Sequence, residues 1–517
     1  MSSRAGGVGR GVPNPRRRGR PNFPAAHVII GESAVSHHCL PASFRDPNGA
    51  LLIAGGRVLR IVTAAGMADL NAFLGSRAAG HWSQSGALVR TAQLDEDRKR
   101  ELLAQDGVAA LYESLGGTGI LEHERIPFPS FAYEWPPEML DAAARLTLDL
   151  ALDLLPEGLG LKDATPYNIL FRGPHPVFID VLSIERRDAG DPTWLAYAQF
   201  VRTFVLPLVA NRRFGLPLDA ALLARRDGLE PEELYRWLGP LQRLHPAVLP
   251  LVSMPVWLAA RRPPDDTSLY RKKLLPDPER ARFVLEHLLH GLRRTLDAFA
   301  PSAAATSAWT GYMEGGNNYT AEQFQAKQRF VAKFLSEHAP RRVLDAGCNT
   351  GHFSFLAARS GASVVAIDYD PAAAGSVWRG ARAEKLDVLP LVVNLARPTP
   401  AMGWNNREWP SFLDRARGGF DAVFMLAVIH HMLVTERVPL EAILDLAADL
   451  TSSLLVIEFI SPEDSMFRRL VRGREELFRG LDAQYFERVC RRRFDILEMQ
   501  HLDGATRWLY VLRRKPQ

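Results

Sequence analysis

The sequence predicts an α/β protein. A doubly wound, mostly parallel sheet fills the C-terminal half, and an α+β region precedes it. Three observations carry that reading. After residue 308, short apolar runs alternate with helical stretches, giving strands at 342–344, 363–367, 388–393, 422–426, 454–459 and 508–513. The first of these runs into a glycine-rich turn, Asp345-Ala-Gly-Cys-Asn-Thr-Gly351, which opens a helix. The segment 301–308 is small, polar and without period, as a linker between two units would be.

At roughly 100–200 residues per domain, a chain of 517 residues holds two to four. Hydrophobic residues at 47% and charged residues at 23% exclude a disordered chain, a collagen-like chain and a coiled-coil rod. The most apolar stretch, 193–210, is broken by Gln199, Arg202 and Pro207, so it reads as a buried helix rather than a membrane span. Three cysteines (Cys39, Cys348 and Cys490) make no disulfide framework and point to a reducing cytoplasm. The net charge of +5 is mild for this length, and a nucleic-acid partner is not indicated. Only 8 of the 63 basic residues are lysine, a bias that genome base composition alone can produce.

Residues 1–24 hold glycine, proline and arginine with almost nothing apolar. They cannot offset the entropy of ordering, so a basic flexible arm is expected. It lacks the apolar core of a secretory signal. His37, His38 and Cys39 have no second ligand cluster at a suitable spacing and are read as structural, not as a metal site. Two apolar runs at 50–54 and 58–62, joined by Gly55 and Gly56, predict a hairpin. Residues 138–155 repeat apolar side chains at helical spacing and predict a long helix. Short strands follow at 168–171 and 177–179, and residues 190–300 read as mostly helical.

The chemistry gathers at strand ends. The first C-terminal strand ends at Asp345, before Gly347, Asn349 and Gly351. Glycine suits a turn that a ligand must approach closely. The second strand ends in Asp368, which can accept hydrogen bonds from sugar hydroxyls. The third ends at Asn394, whose amide can read a base edge, and the fourth runs through Ala427 to His430 and His431. Glu458 lies at the end of the fifth. Tyr319 and Lys327 lie upstream of the first strand, in a stretch that a plain amphipathic helix explains.

These residues resemble the class I S-adenosylmethionine-dependent methyltransferases over about 310–517. A nucleotide dehydrogenase fits less well, because its turn is usually G-x-G-x-x-G. The resemblance implies a Rossmann-like seven-stranded sheet ending in an antiparallel hairpin, for which 494–499 and 508–513 are the candidates. It implies S-adenosylmethionine as cofactor, with Asp345 near its amino and sugar parts, Asp368 on the ribose and Asn394 on the adenine side. The family often has glycine where Asn349 stands. His430, His431 and Glu458 are the candidate bases for removing a proton from the acceptor. In that family a helix upstream of the first strand often lies over the cofactor, which implies that Tyr319 and Lys327 close the site. The insert 398–417, with Trp404 and Trp409, is expected on the acceptor wall or, alternatively, as a surface loop with its tryptophans tucked underneath.

Upstream, Asp163-x-x-x-x-Asn168, then two short apolar strands and Asp180, resembles the catalytic loop of the protein-kinase and aminoglycoside-phosphotransferase superfamily. The resemblance implies Asp163 as base, with Asn168 and Asp180 holding Mg²⁺ beside a nucleotide. Leu161 stands where that family has histidine. No glycine-rich phosphate loop is evident, and Arg60 is the nearest substitute for the strand lysine. A degenerate kinase-like domain follows. The expected organisation is a basic arm at 1–24, a kinase-like accessory domain at 25–300, a linker at 301–308 and a methyltransferase domain at 309–517. The two-part layout also resembles a loose group of bacterial methyltransferase chains that includes some nodulation-associated proteins. The acceptor, small molecule or macromolecule, is not written in the sequence. A bifunctional methyltransferase and phosphotransferase, or a noncatalytic binding protein with relic pockets, are the alternatives.

Overall fold

In the second half, parallel strands form where short runs of valine, isoleucine, leucine and phenylalanine can be buried on both faces. The computed structural model describes residues 38–39, 43, 45–105, 107–261, 273–302 and 319–516. The basic arm, most of the linker and the side chains of His37, His38 and Cys39 lie outside them.

In the first half, β1 (His38–Cys39), β2 (Gly49–Ala54), β3 (Arg57–Thr63), β4 (Thr91–Gln93) and β5 (Gly117–His123) build an antiparallel sheet in the order β1-β2-β3-β5-β4. The expected hairpin is β2–β3. Gly55 and Gly56 take φ of 56° and 76°, the left-handed values that a two-residue turn requires. A short 3₁₀ turn, Ala132–Glu134, leads into the long helix Pro137–Leu154, whose apolar stripe is buried. Beyond it, β6 (Leu159–Leu161) pairs with β9 (Ile184–Arg186) around the hairpin of β7 (Ile169–Arg172) and β8 (His175–Phe178). Helices fill the rest to Ala298, including π-helical turns at Val201–Val205 and Leu249–Ser253.

In the second half, seven strands pair in one sheet: β10 (Arg342–Ala346), β11 (Ser363–Asp368), β12 (Val388–Val392), β13 (Phe420–Met425), β14 (Thr451–Ile460), β15 (Phe494–His501) and β16 (Arg507–Arg514). The order is β12-β11-β10-β13-β14-β16-β15. Strands β10 to β14 run parallel, and β16 inserts antiparallel between β14 and β15. The order reverses between β10 and β13, which opens a crevice at their C-terminal tips. The fold class is therefore the expected one: a Rossmann-like sheet after an antiparallel N-terminal region.

The described residues of both halves belong to one contact unit and share one hydrophobic core. Arg415 shows why. Its guanidinium pairs with the fully buried Glu134 and donates to the Pro129 carbonyl at 2.6 Å. Phe128 packs against Phe412 and Phe420, with ring centroids 5.9 Å away in each case. Arg379 pairs with Glu138, and Trp378 Nε1 donates to the Pro174 carbonyl at 3.0 Å. A Cβ at Gly375 would sit 2.4 Å from the Glu138 carboxylate, so the helix Pro371–Glu384 needs glycine where it meets the long helix.

Candidate active site

Parallel register sets the site. Asp345 stands beside Ala366 of β11 and Phe424 of β13, and Asp368 beside Val392 of β12, so Asp345 lies two residues short of Asp368 along the sheet and both lie near its C-terminal edge. There a cavity of about 420 Å³ opens, within the range typical of small-ligand pockets. Tyr319, Lys327, Asp345, Gly347, Asn349, Asp368, Asn394, Ala427 and His431 all line it. Gly351, His430 and Glu458 do not.

The turn after β10 is shaped by sterics. Gly347 has φ of 74°, and a Cβ there would lie 3.0 Å from a methyl of Val428. Asn349 also takes a left-handed φ, 49°, which asparagine tolerates better than most residues. Gly351 caps the helix His352–Arg359 with φ of 87°. It faces Val377 and Phe355 inside the fold, so glycine serves packing at this position.

Asp345 is buried and accepts a 2.6 Å hydrogen bond from Ser354 Oγ. Burial pushes its carboxyl up to about 6, while Ser354 and the Lys327 charge pull the other way. Asp368 accepts the Asn349 amide at 2.9 Å and the Asp370 amide at 3.0 Å, which fix its carboxylate. Burial raises its pKa too, against those amides. Asn394 Oδ1 accepts the Ala396 amide at 2.9 Å, which turns the amide nitrogen into the donor left for a ligand.

Beneath the wall lies a buried charged cluster. Glu458 on β14 accepts Lys327 Nζ at 2.7 Å and Tyr319 Oη at 2.6 Å. Arg507 on β16 approaches to 3.6 Å and also binds Asp464 at 3.0 Å. Burial penalises the Glu458 charge, and Lys327 and Arg507 more than offset it, holding the carboxyl below its ordinary range. As a proton acceptor Glu458 is therefore badly placed: it is ionised, fully engaged and behind the cavity wall. Its observed contacts anchor the Tyr319–Lys327 segment to the sheet.

His430 and His431 lie with ring centroids 4.1 Å apart. Both are shifted down by burial, His430 the more strongly, so both rings are neutral near neutral pH. Only His431 reaches the cavity. The expectation for the insert 398–417 is corrected: none of its residues lines the cavity. Instead Trp409 stacks on Tyr167 of the first half at 4.6 Å, and Glu408 binds Arg45 at 2.9 Å. The outer wall is formed by Leu395, Ala396 and Arg397 with Met432, Thr435 and Glu436. Those residues, with Phe324, Phe353 and Tyr369, escaped the sequence reading. Tyr369 follows the strand-end acid directly, and that position was the available signal. Arg507 had none, since its partners lie on distant strands.

In the first half, Asp163, Asn168 and Asp180 do come together. Asn168 Nδ2 donates to the Asp163 carbonyl at 3.2 Å, and burial together with the Asp180 charge raises the Asp163 carboxyl. Yet the buried Arg60 lies 2.5 Å from Asp180 Oδ1 and 3.9 Å from Asp46, so the acid that would hold a cation is already paired. Burial and the charge of Arg60 press the neighbouring His123 down to about 4. Among the described residues no cluster of histidine, cysteine or carboxylate suits a metal ion.

Residues 319–493, which hold most of this sheet and its cavity, match the family model described as a methyltransferase domain, and S-adenosylmethionine-dependent methylation is the activity that this match supports. Over 478 residues the chain is 29% identical to the nodulation protein NoeA of Rhizobium meliloti (strain 1021), covering 91% of this chain and 95% of NoeA. Two solved structures are similar to parts of it. Magnesium protoporphyrin IX methyltransferase (ChlM) from Synechocystis PCC 6803 with bound SAH is 18% identical, with a TM-score of 0.28, over 37% of this chain and 84% of ChlM. WbdD, a bifunctional kinase-methyltransferase, is 19% identical, with a TM-score of 0.27, over 42% of this chain and 45% of WbdD.

Proposed function

We propose that this protein, a cytoplasmic enzyme, moves a methyl group from S-adenosylmethionine to an oxygen or nitrogen of an acceptor held over the β12 and β13 tips. One observation carries the reading: Asp345, Asp368 and Asn394 meet in one cavity where the strand order reverses.

The residues present fit the cofactor. Gly347 leaves a gap that a side chain would fill, and Asn349 Oδ1 and His352 Nε2 are buried without a hydrogen-bond partner among the described residues. Asp368, its carboxylate already aligned by two amides, takes the ribose hydroxyls. Asn394 donates to the adenine side, and Asp345 faces the amino end. Tyr319 and Lys327 close the site, held from below by Glu458. When bound, the cofactor supplies a methyl group already activated by its sulfonium. The chain's task is then alignment and exclusion of water. His431, neutral and on the wall, takes the acceptor proton, and His430 braces its ring.

In this reading the arm spans 1–24, the accessory domain 25–300, the linker 301–308 and the methyltransferase domain 309–517. The kinase-like half presents or positions the acceptor and transfers no phosphate, because Arg60 occupies Asp180. Titration calorimetry with S-adenosylhomocysteine tests the cofactor site: one-to-one binding is expected, and no heat from folded protein refutes the assignment. His431→Ala should lower kcat and leave that affinity intact. Unchanged turnover removes His431 as the base.

A further inference from the structure

The helices following residue 205 carry an apolar surface that the described residues leave uncovered. The helix Met254–Ala259 reads Met-Pro-Val-Trp-Leu-Ala and has no buried residue. Its Trp257 donates to Tyr235 Oη at 2.9 Å, tying it to the helix Pro231–Trp237. At the end of that helix Trp237 is 42% exposed and meets Phe214 edge-on, with ring centroids 6.1 Å apart. Next along the chain, Leu241 and Leu244 are 86% and 59% exposed. Isolated exposed leucines need no explanation, but tryptophans and leucines on adjoining helices mark a contact surface.

The charges around it select the partner. Between residues 206 and 261 there are seven arginines and five acids. Glu230 and Glu233 are already paired, with Arg202 and Arg225, each at 3.3 Å. The exposed acids Asp219, Asp227 and Glu232 remain. Against them stand the exposed Arg212, Arg236 and Arg261, which make no ion pair among the described residues, and Arg213, which lies over the Phe299 ring. Guanidinium groups rimming an apolar face bind phosphate in a planar fork while their stems lie on hydrocarbon. Tryptophan, with an apolar body and a polar N–H, suits the depth of lipid headgroups.

We propose that this face seats the protein on an anionic phospholipid bilayer, lying in the interface without crossing it. Among the described residues no helix is long and apolar enough to span a membrane. The surface needs nothing from the methyl-transfer reading, and a failure of either leaves the other standing. A protein seated in this way would meet an amphiphilic acceptor already confined to the lipid surface.

The test is co-sedimentation of the full chain with vesicles of phosphatidylcholine, alone and mixed with phosphatidylglycerol. Binding should be about tenfold tighter to the anionic vesicles and collapse near 1 M salt, where screening falls to about 3 Å. Leu241→Glu with Leu258→Glu should remove about tenfold or more of the affinity by deleting inserted apolar area. Arg236→Glu with Arg261→Glu should abolish the preference for anionic lipid. Both pairs are at exposed positions, and unchanged S-adenosylhomocysteine binding or an unchanged melting profile certifies their folding. Absence of vesicle binding overturns the proposal, as does binding that survives the leucine variants. Binding lost only when Arg16, Arg17 and Arg18 are replaced by alanine assigns the lipid contact to the N-terminal arm and also overturns it. A dimer of the parent chain that the leucine variants dissolve, without vesicle binding, assigns the face to a second copy instead.

Discussion

Two places in this chain gather the same materials, aspartates at the tips of short strands with an asparagine nearby, and they differ in where the nearest cation sits. In the second half the cations are engaged with another acid: Lys327, itself on the cavity wall, and Arg507 pair with Glu458, and Asp345 and Asp368 face the cavity without an ion-pair partner among the described residues. In the first half Arg60 lies directly on Asp180. The difference shows that a row of strand-end acids is not yet a site. What decides is where the neighbouring positive charge is anchored.

The strongest way to break the comparison is to release that anchor. Lys327→Met leaves Glu458 with only Arg507 and Tyr319, and losing one partner of a buried pair costs about 3–5 kcal/mol. Urea unfolding should register a loss of that order, and cofactor-product binding should weaken with it. Glu458→Gln, which keeps its shape and much of its hydrogen bonding, should cost less. Next in size, Asp368→Ala should weaken S-adenosylhomocysteine about 10–100-fold, the scale of hydrogen bonds to a charged group. An unchanged affinity would show that the second-strand acid does not grip a sugar.

Acidity sharpens the same contrast. The folded Asp345 carboxyl, at about 6, lies above its ordinary value of 3.8, so the folded protein holds its proton longer than the unfolded chain. The sign follows: this group costs stability as pH rises from near 4 through 6, and the full cost remains above 6. Ligand binding runs the other way if the ionised acid faces an ammonium. Affinity should then fall by up to about tenfold per pH unit below 6. Asp345→Asn should flatten that profile, and a calorimetric pH series checks it. The smallest effect belongs to the first half. Arg60→Ala should leave methyl transfer within about twofold, the scale of a change without direct contact. A melting-temperature rise with ATP and Mg²⁺ in the parent protein would erase the contrast between the two sites.

Strand-end chemistry was legible because an apolar run stopping at Asp345 or Asp368 states both the strand and its tip. The closing hairpin of β15 and β16 was legible from two alternating runs around a turn. Arg507 was not, since its partner depends on an antiparallel register between segments far apart in sequence. Gly351 looked like part of the ligand turn, but its bare Cα serves Val377 and Phe355. The insert 398–417 misled for a related reason. Tryptophans in a loop beside a site suggest a wall, whereas Trp409 was spoken for by Tyr167, a residue of the other half.

The Glu134–Arg415 joint has a consequence for how the chain comes apart. A guanidinium seated among Phe128, Phe131 and Phe412 has no good solvent substitute once its carboxylate departs. Neither half can shed the other without exposing oil and stranding a charge. Heating should therefore produce a single calorimetric peak, and a gene trimmed to its second half should yield a chain that aggregates before it can be assayed.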